Sequence, residues 1–571
     1  MKNVEIARIF NEIAEFLEIL NENPFRIRAY KKAAKSIESL SSSVDELSEE
    51  DIIKIPGIGK DLLGKIKEYL STGKVALHEE LKEKIPYGVI TLMDIPGIGP
   101  KTAKFLYETL NIKSIQDLEK ALDEGKLKGL PGFGAKTEEN IRKGIASFKR
   151  GIERKPLFKV LPIANEILSL MKQNKYILKI EIAGSLRRWK DTVKDIDIIC
   201  AASENEKVIE YFIKLPHIKE VVAKGETKVS AILKESIQID LRVVEEKSFG
   251  AALAYFTGSK EHNIRVRELA KQRGLKINEY GVFRESDEKF IGGSSEEEVY
   301  QVVGLPWIPP ELREDRGEIE AALKNALPKI ISLEDIKGDL HIHSNYSDGF
   351  NSIEEIVAAA LKRNYKYIAI TEHSKGLGVA KGLTEDRIFE QKKEIERLRK
   401  RYPQIVILQG IEVNILQDGS LDLKDDTLKE LDLVIASVHS AFKQEEKEMT
   451  KRVIKAIMNP YVHIIGHPTG RLIGEREPYK IDIDEVIKAA SDYGKFLEIN
   501  SYPLRMDLND INAKKAKEKG VKLVVNTDAH SITQLDYIVY GVSVAKRAWL
   551  ETHNILNTFE VEELMKLIRK I

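Results

Sequence analysis

The spacing of apolar residues changes twice along the chain, and each change predicts a different kind of structure. In the first 150 residues, apolar positions recur with helical spacing between short glycine-containing turns. In the middle, residues 176–182 and 236–241 are short apolar segments of strand length. Beyond residue 330, strand patterns alternate with helical ones. The pattern therefore predicts a helical region, an α+β region and an α/β region.

The C-terminal third predicts a (β/α) barrel. Its strand candidates, separated by helical patterns, are residues 367–370, 405–409, 433–437, 463–466, 496–500 and 522–526. Polar residues cluster where these strands end, and barrel enzymes carry their active sites at that edge. We therefore expect a functional site there.

The composition describes a globular protein of several domains. At roughly 100–200 residues per domain, 571 residues suggest about three to five domains. With 42% hydrophobic and 32% charged residues, the chain is neither disordered nor fibrous, and no apolar run is long enough for a membrane span. Cys200 is the only cysteine, which excludes an intramolecular disulfide and a cysteine zinc site. The acidic, helix-like first 20 residues are not typical of a signal peptide, so we expect a cytoplasmic protein.

The net charge first argues against nucleic acid as a partner. The chain holds 91 basic and 91 acidic residues, whereas nucleic-acid-binding proteins usually carry a basic excess. Residues 101–200, however, hold 21 basic and 13 acidic side chains, a local net charge of +8. Global neutrality is therefore compatible with a local DNA track of modest, salt-dependent affinity.

A short phrase occurs three times in the helical region. Residues 55–59 and 95–99 read Ile-Pro-Gly-Ile-Gly, and residues 130–134 read Leu-Pro-Gly-Phe-Gly. A plain helix–turn–helix corner would explain one copy, but three copies favour a functional element. Glycines permit a tight turn and leave N–H groups of the next helix open to a phosphate oxygen. The phrase resembles the helix-hairpin-helix motif, which implies DNA-backbone contacts at Gly57, Gly59, Gly97, Gly99, Gly132 and Gly134.

Two segments near the N-terminus resemble the small N-terminal domain of polymerase beta. Residues 23–34 read Asn-Pro-Phe-Arg-Ile-Arg-Ala-Tyr-Lys-Lys-Ala-Ala, and residues 57–69 read Gly-Ile-Gly-Lys-Asp-Leu-Leu-Gly-Lys-Ile-Lys-Glu-Tyr. The resemblance implies that Lys65 is the Schiff-base lysine of a 5′-deoxyribose-phosphate lyase, with Arg26 and Tyr30 lining the same DNA-binding pocket. Asp61 departs from the family, which places a phosphate-binding lysine there. The alternative is that Lys65 is an ordinary solvated lysine.

The middle region carries a nucleotidyl-transfer pattern. An apolar strand leads into a Gly-Ser pair and a polar turn, and a second strand opens with Asp-x-Asp. Side chains alternate along a strand, so both aspartates project to one side, as two divalent cations require. The predicted triphosphate contacts are Gly184, Ser185 and Arg187, and the predicted ligands of Mg²⁺ or Mn²⁺ are Asp195, Asp197 and Asp240.

The residues that follow the Asp-x-Asp strand indicate which family of nucleotidyltransferases the sequence resembles. This set resembles the nucleotidyltransferase palm, and residues 255–267 and 304–317 resemble the thumb of family X DNA polymerases. The match covers residues 1–317 nearly end to end. It implies that Tyr255, Phe256, Gly258 and Asn263 contact the incoming nucleotide, and that Arg267 contacts the template strand.

Histidines concentrate in the predicted barrel. Eight of the 11 lie beyond residue 330. A single histidine at a strand end is more often structural, but nine such residues at successive strand ends favour a centre for zinc, manganese or iron. They are His341, His343, Asp348, His373, Glu412, His439, His467, Asp528 and His530. Arg471, shortly after His467, is a candidate phosphate contact.

The nine residues resemble the ligands of the PHP (polymerase and histidinol phosphatase) domain, a distorted seven-stranded barrel that binds up to three Zn²⁺ or Mn²⁺ ions. The resemblance implies three sites, formed by His341, His343, Glu412 and Asp528, by Glu412, His439 and His467, and by Asp348, His373 and His530. All nine positions are filled, which implies an active phosphoesterase.

The fold we expect is multidomain, α+β and α/β. Its predicted domains are a helical DNA-binding domain (1–85), a helix-hairpin-helix domain (86–152), a palm (153–246), a thumb (247–317), a linker (318–336) and a PHP barrel (337–571). This order resembles that of bacterial and archaeal family X DNA polymerases.

The resemblance implies a monomeric, nucleoid-associated repair enzyme. It would fill short gaps in primed DNA with dNTPs, degrade DNA 3′→5′, cleave abasic sites and work beside a ligase. Two alternatives stay open. One is a PHP phosphoesterase for a small phosphoester with a vestigial polymerase core, and the other is a non-catalytic scaffold that binds DNA ends.

Overall fold

The computed structural model describes residues 2–38, 44–95, 98–152 and 154–569. The chain divides into two compact units, residues 1–153 and 154–571. Among the described residues, no helix is long and apolar enough to cross a membrane.

The first unit is helical. Its long helices place apolar residues on one face, and these residues, such as Phe10, Ile13 and Leu17, form a single buried core. Its helices are α1 (Lys2–Ile19), α2 (Pro24–Glu38), α3 (Glu49–Ile52), α4 (Lys60–Thr72), α5 (Ala76–Lys84), α6 (Tyr87–Thr91), α7 (Pro100–Leu110), α8 (Ile115–Asp123) and α9 (Ala135–Ile152). The predicted helical region is thus confirmed.

The second unit begins with a mixed sheet. Its strands are β1 (Lys155–Pro156), β2 (Ile177–Ile182), β3 (Thr192–Val193), β4 (Asp195–Ala202), β5 (Ile218–Lys224), β6 (Lys228–Leu233) and β7 (Gln238–Val244). The helices of this segment are α10 (Leu157–Met171), α11 (Gly184–Arg187) and α12 (Asn205–Ile213). The main sheet has the order β2-β4-β7-β6-β5, and β4 runs parallel to β7 but antiparallel to β2.

The next segment combines helices with a small antiparallel sheet of order β10-β9-β8. It contains α13 (Phe249–Thr257), α14 (Lys260–Gln272), β8 (Leu275–Asn278), β9 (Gly281–Arg284), β10 (Phe290–Gly292) and α15 (Glu296–Val302). The segment expected as a linker begins with α16 (Glu318–Leu323). Its residues Glu318, Ile319 and Ile331 are at most 1% exposed, so this connection is packed rather than extended.

The C-terminal part is a parallel barrel. Its strands are β11 (Gly338–Ile342), β12 (Tyr367–His373), β13 (Val406–Asn414), β14 (Leu433–Ser437), β15 (Ile464–Ile465), β16 (Phe496–Asn500) and β17 (Leu523–Asn526). Its helices are α17 (Ile353–Lys362), α18 (Glu385–Arg401), α19 (Asp425–Leu428), α20 (Glu446–Ile457), α21 (Ile483–Asp492), α22 (Asp510–Glu518), α23 (Ile538–Arg547) and α24 (Val561–Arg569). The strands pair in sequence order, and a bridge between Ile342 and Ala529 brings the first and last together. The predicted distorted barrel is therefore confirmed.

Candidate metal centres and DNA-binding elements

The predicted polymerase carboxylates lie on two adjacent strands. In the pairing of β4 with β7, Asp197 lies directly opposite Asp240. Asp195 is two residues before Asp197 on β4, so its side chain projects to the same face. The structure thus brings all three aspartates together.

Gly184 makes room for this cluster. It begins α11 with φ +66°, and a Cβ atom there would lie 2.5 Å from Asp197 Oδ2. A side chain is therefore excluded for two reasons, left-handed backbone and lack of space. The close approach of Gly184 to Asp197 brings the first turn of α11, which includes Ser185, beside the carboxylates.

The electrostatics of the aspartates fit a cation. Burial, with contributions from Asp195 and Asp240, raises the pKa of Asp197 to about 7. Burial also acts on Asp240, but hydrogen bonds, above all with Lys228, hold its pKa below its ordinary value. Lys228 Nζ lies 3.0 Å from Asp240 Oδ2. The packed carboxylates repel one another, which disfavours their ionisation, and a divalent ion bound between them would relieve that repulsion.

Arg187 has partners that the sequence did not predict. Its guanidinium forms two bonds of 2.8 and 2.9 Å to the Glu296 carboxylate and one of 2.8 Å to Thr257 Oγ1. Arg313 also binds Glu296. The predicted triphosphate contact therefore requires the triphosphate to compete with Glu296.

The other predicted nucleotide contacts lie on α13, α14 and the turn between them. The rings of Tyr255 and Phe256 are 5.0 Å apart and partly buried. Gly258 caps the end of α13 with φ +69°, and Asn263 Nδ2 donates a 2.7 Å hydrogen bond to the Tyr255 carbonyl. Arg267 is exposed and available to a DNA strand.

The nine predicted PHP residues converge at the carboxyl ends of the barrel strands. Side chains that could share an ion, with ligand atoms within 4.8 Å of one another, form three groups. The groups are His343, Asp348, His373 and His530; His341, His343 and Asp528; and His373, Glu412 and His439. His467 Nε2 lies 3.1 Å from Glu412 Oε1, which adds the ninth residue. The groups overlap through His343 and His373, whereas the resemblance assigned each of these to one site.

Unpartnered buried atoms support metal binding. In the described part of the chain, several buried atoms of these residues have no hydrogen bond of good geometry, namely His341 Nε2, His343 Nδ1 and Nε2, His373 Nδ1, Glu412 Oε2, His467 Nδ1 and Asp528 Oδ1. Two pairs among them are nevertheless close, His373 Nδ1 to Glu412 Oε2 at 2.8 Å and His343 Nε2 to Asp528 Oδ1 at 3.1 Å. A buried polar atom without a partner is costly, so such a cluster needs an explanation. Imidazole and carboxylate donors aimed at one another fit one or more divalent ions.

Residues that the sequence did not single out orient two of these histidines. Glu498 Oε1 lies 2.7 Å from His341 Nδ1, and a carboxylate can only accept that hydrogen bond. Asn414 Oδ1 lies 2.6 Å from His439 Nδ1, while Asn414 Nδ2 donates to Asp422. Both contacts place the ring proton on Nδ1 and leave Nε2 for a metal. The only sequence signal was a polar residue within an apolar strand.

Arg471 does not fit the prediction of a phosphate contact. Its guanidinium donates to Asp191 Oδ2 at 3.0 Å and to the carbonyls of Arg505 and Met506 at 2.7 and 2.6 Å. Its donors are thus engaged within the protein, which the sequence could not reveal.

The three glycine-containing phrases of the first unit share one backbone hydrogen bond. In each copy the residue between the two glycines donates its N–H to the apolar residue that opens the phrase, Ile58 to Ile55, Ile98 to Ile95 and Phe133 to Leu130. The second glycine precedes a helix in each copy, and Gly57 and Gly132 have φ +92° and +85°. Gly97 lies outside the described residues. The two fully described copies, at residues 55–59 and 130–134, therefore adopt the same turn before a helix.

The structure brings the residues of the predicted lyase pocket near one another, and their activity stays a prediction. Lys65 Nζ lies 2.5 Å from Asp61 Oδ1, so the residue that departs from the family pairs with the predicted nucleophile. Arg26 is exposed on α2. Tyr30 is 1% exposed and packs edge-on against Phe10. Burial raises the pKa of Tyr30 and the nearby Lys65 opposes that rise, so its hydroxyl lies beside the predicted nucleophile, and its contact with DNA stays a prediction. Its ring belongs to the core because helices α1 and α2 pack together.

Comparisons with known proteins agree with this layout. Family models match a helix-hairpin-helix domain (residues 1–75), a SAM-like helix-hairpin-helix tandem (89–147), a DNA polymerase beta thumb (252–314) and a PHP domain (339–502).

The chain also matches curated proteins. It is 43% identical to the DNA polymerase/3′-5′ exonuclease PolX of Bacillus subtilis (strain 168), over 100% of both chains. A probable phosphatase of Thermoanaerobacter sp. (strain X514) is 36% identical over 38% of this chain and 89% of its own. One from Caldanaerobacter subterraneus subsp. tengcongensis is 36% identical over 34% of this chain and 75% of its own.

Proposed function

Because this chain belongs to the family X DNA polymerases that carry a C-terminal PHP domain, we propose that it fills short gaps in DNA during repair and degrades DNA 3′→5′. One observation carries the proposal. A three-carboxylate cluster and a nine-residue histidine-rich cluster both stand complete in one compact unit.

At the polymerase site, Asp195, Asp197 and Asp240 would hold Mg²⁺ or Mn²⁺, which supplies charge stabilisation for nucleotidyl transfer. Ser185 and the N–H groups at the start of α11, a helix that begins at Gly184 beside Asp197, would bind the triphosphate. Tyr255 and Phe256 would border the sugar. The chain's own part is to orient the dNTP against the primer end.

At the barrel site, the nine clustered residues would hold up to three Zn²⁺ or Mn²⁺ ions, which supply Lewis-acid activation for phosphodiester hydrolysis. Glu498 and Asn414 fix the orientation of two imidazoles. The same site would cleave abasic DNA, since the bond broken is again a phosphodiester.

The first unit would hold the 5′ side of a gap. The three hairpin turns and the basic residues around Arg26 would bind phosphates without reading sequence. We also propose a weak 5′-deoxyribose-phosphate lyase activity at Lys65. The Lys65 amine must leave its contact with Asp61 before it can add to an aldehyde.

The wider setting follows from this assignment. We propose a cytoplasmic, nucleoid-associated monomer that acts on gapped or primed DNA with dNTPs and hands the filled nick to a ligase. We also propose that the six predicted domains, with boundaries at residues 85, 152, 246, 317 and 336, are its functional parts.

A labelled primer in a gapped duplex tests the function. With Mg²⁺ or Mn²⁺, dNTPs should lengthen the primer, and omission of dNTPs should shorten it from the 3′ end. Histidinol phosphate serves as the small phosphoester. Its hydrolysis without any change in DNA would favour a phosphatase, as in the relatives named probable phosphatases. Binding of the duplex without any reaction would favour the scaffold.

A further inference from the structure

We propose that the PHP part of the second unit positions the nucleotide-binding loop of the palm through two arginines, Arg547 and Arg471. This inference rests on the proposed polymerase function of that loop. The loop runs from Gly184, at the predicted triphosphate site, to Asp195, the first predicted metal ligand. Its shape therefore sets the position of both.

The loop has an unusual backbone. Trp189 lies in the left-handed region with φ +55°, which is rare for a bulky side chain. Such a conformation persists only where the surroundings fix it. Two backbone bonds, Trp189 N–H to Leu186 and Lys190 N–H to Ser185, close the turn locally, both at 3.1 Å. Thumb residues hold Arg187 and Arg188 of the loop, and two arginines of the barrel add further contacts.

Arg547, at the end of α23, forms a hydrogen bond with the loop at Arg188. It is 3% exposed, and its Nη1 donates to the Arg188 carbonyl at 2.7 Å and to Glu314 Oε1 at 2.9 Å. Glu314 in turn accepts from Arg188 Nε at 3.0 Å. Nη2 donates to Asp510 Oδ2 at 2.8 Å. A buried guanidinium with three partners has a fixed orientation, so its contact fixes the carbonyl of Arg188.

Arg471, in the segment after β15, forms an ion pair with the loop at Asp191. Its Nη1 lies 3.0 Å from Asp191 Oδ2, three residues beyond the contact of Arg547. Its other donors hold the carbonyls of Arg505 and Met506, so the arginine is itself anchored in the barrel. The loop is thus held at two points from two separate PHP elements.

The apolar packing agrees with these contacts. One buried cluster continues from palm residues such as Val208 and Ile239 to barrel residues such as Ile407 and Val525. The barrel cannot move away from the palm without opening that cluster. The PHP barrel, proposed to hydrolyse DNA, therefore also holds the nucleotide-binding loop of the palm in place.

Two variants test the proposal. Asp191→Asn weakens the palm end of one contact and leaves the barrel bonds of Arg471 intact. Arg547→Lys keeps the charge but loses the planar fork. The matched control is Arg399→Lys, an arginine that binds Asp432 and the Ile407 carbonyl within the barrel. Each protein is assayed for dNTP KM and kcat on a single-nucleotide gap, for exonuclease rate and for Tm.

We expect the dNTP KM of both test variants to rise about five- to tenfold, the range of energetic coupling through a contact network. Exonuclease rate and Tm should stay near the wild-type values, and the control should resemble the wild type throughout. An Asp191→Asn and Arg471→Gln double variant should be no worse than Arg471→Gln alone.

An unchanged KM in both test variants, while the wild type extends primers, would overturn the proposal. So would a parallel loss of extension, exonuclease rate and Tm, which indicates a general structural role. If the wild type itself does not extend primers, the proposed polymerase function fails instead, and the two failures are thereby distinguished.

Discussion

The two metal-binding clusters of the second unit are built in opposite ways. The palm takes three carboxylates from two neighbouring strands, and their ligand atoms are oxygen only. The barrel takes nine residues from the ends of strands throughout the sheet, and six of them are histidines. Oxygen ligands suit Mg²⁺, which binds weakly and exchanges, whereas imidazole suits transition metals. The difference in donor atoms supports the proposal that the two clusters take different metals and serve different reactions.

The largest effect should come from the smaller cluster. Because Asp240 lies opposite Asp197 and completes the three-carboxylate cluster, Asp240→Asn should reduce primer extension about a hundred- to a thousandfold, the scale of a lost transition-state interaction. Exonuclease rate should be unchanged. Asp287→Asn, at an exposed carboxylate paired with Arg284, is the control. Extension within tenfold of the wild type would mean that this triad is not the site.

A smaller loss should follow when an orienting residue of the barrel is removed. Asn414→Ala frees His439 Nδ1 of its partner, so metal affinity should fall about 10- to 100-fold, the usual cost of removing a residue that orients a metal ligand. Metal content after gel filtration, by mass spectrometry, measures this directly. Asn459→Ala, an exposed amide paired with Asp425, is the matched control. Full metal content in Asn414→Ala would contradict the assignment.

A chelator should remove metal from the palm cluster faster than from the barrel cluster. After brief treatment with EDTA and desalting, Mg²⁺ alone should restore extension at once, because carboxylate sites exchange quickly. Exonuclease activity should persist through that treatment and disappear only on long dialysis. Simultaneous loss and recovery of both activities would indicate that the clusters do not differ in metal affinity.

The smallest effect concerns acid stability of the thumb. Burial alone would raise the pKa of Glu296, but the guanidinium groups of Arg313 and Arg187 lower it to about 2. Because the pKa of Glu296 is lower in the folded protein than its ordinary value of 4.5, the ionised carboxylate stabilises the fold fully at pH values above 4.5. That stabilisation is lost as the pH falls toward 2. The Tm difference between wild type and Glu296→Gln should therefore shrink between pH 5 and about 2. A difference independent of pH would exclude this ion pair as its cause.

Prediction from the sequence succeeded where a short pattern dictates geometry. Side chains alternate along strands, so an Asp-x-Asp strand beside a third aspartate was enough to foresee the palm cluster. The barrel strands at 433–437 and 496–500 were also foreseen to the residue. Both cases depend on local periodicity, which the fold keeps.

Prediction failed where contacts depend on distant packing. Arg187 meets Glu296 from 109 residues away, and no spacing signals that pair. The sharing of His343 and His373 between metal groups depends on how the barrel curves. Glu498 was visible only as a carboxylate in an apolar strand.

The most direct test is a crossed experiment on one labelled primer. Asp197→Ala and His343→Ala are each given a gapped duplex, first without and then with dNTPs. We predict that Asp197→Ala shortens the primer but never lengthens it, and that His343→Ala lengthens it but never shortens it. Loss of both activities in either variant, at an unchanged Tm, would contradict two separate metal centres in one chain.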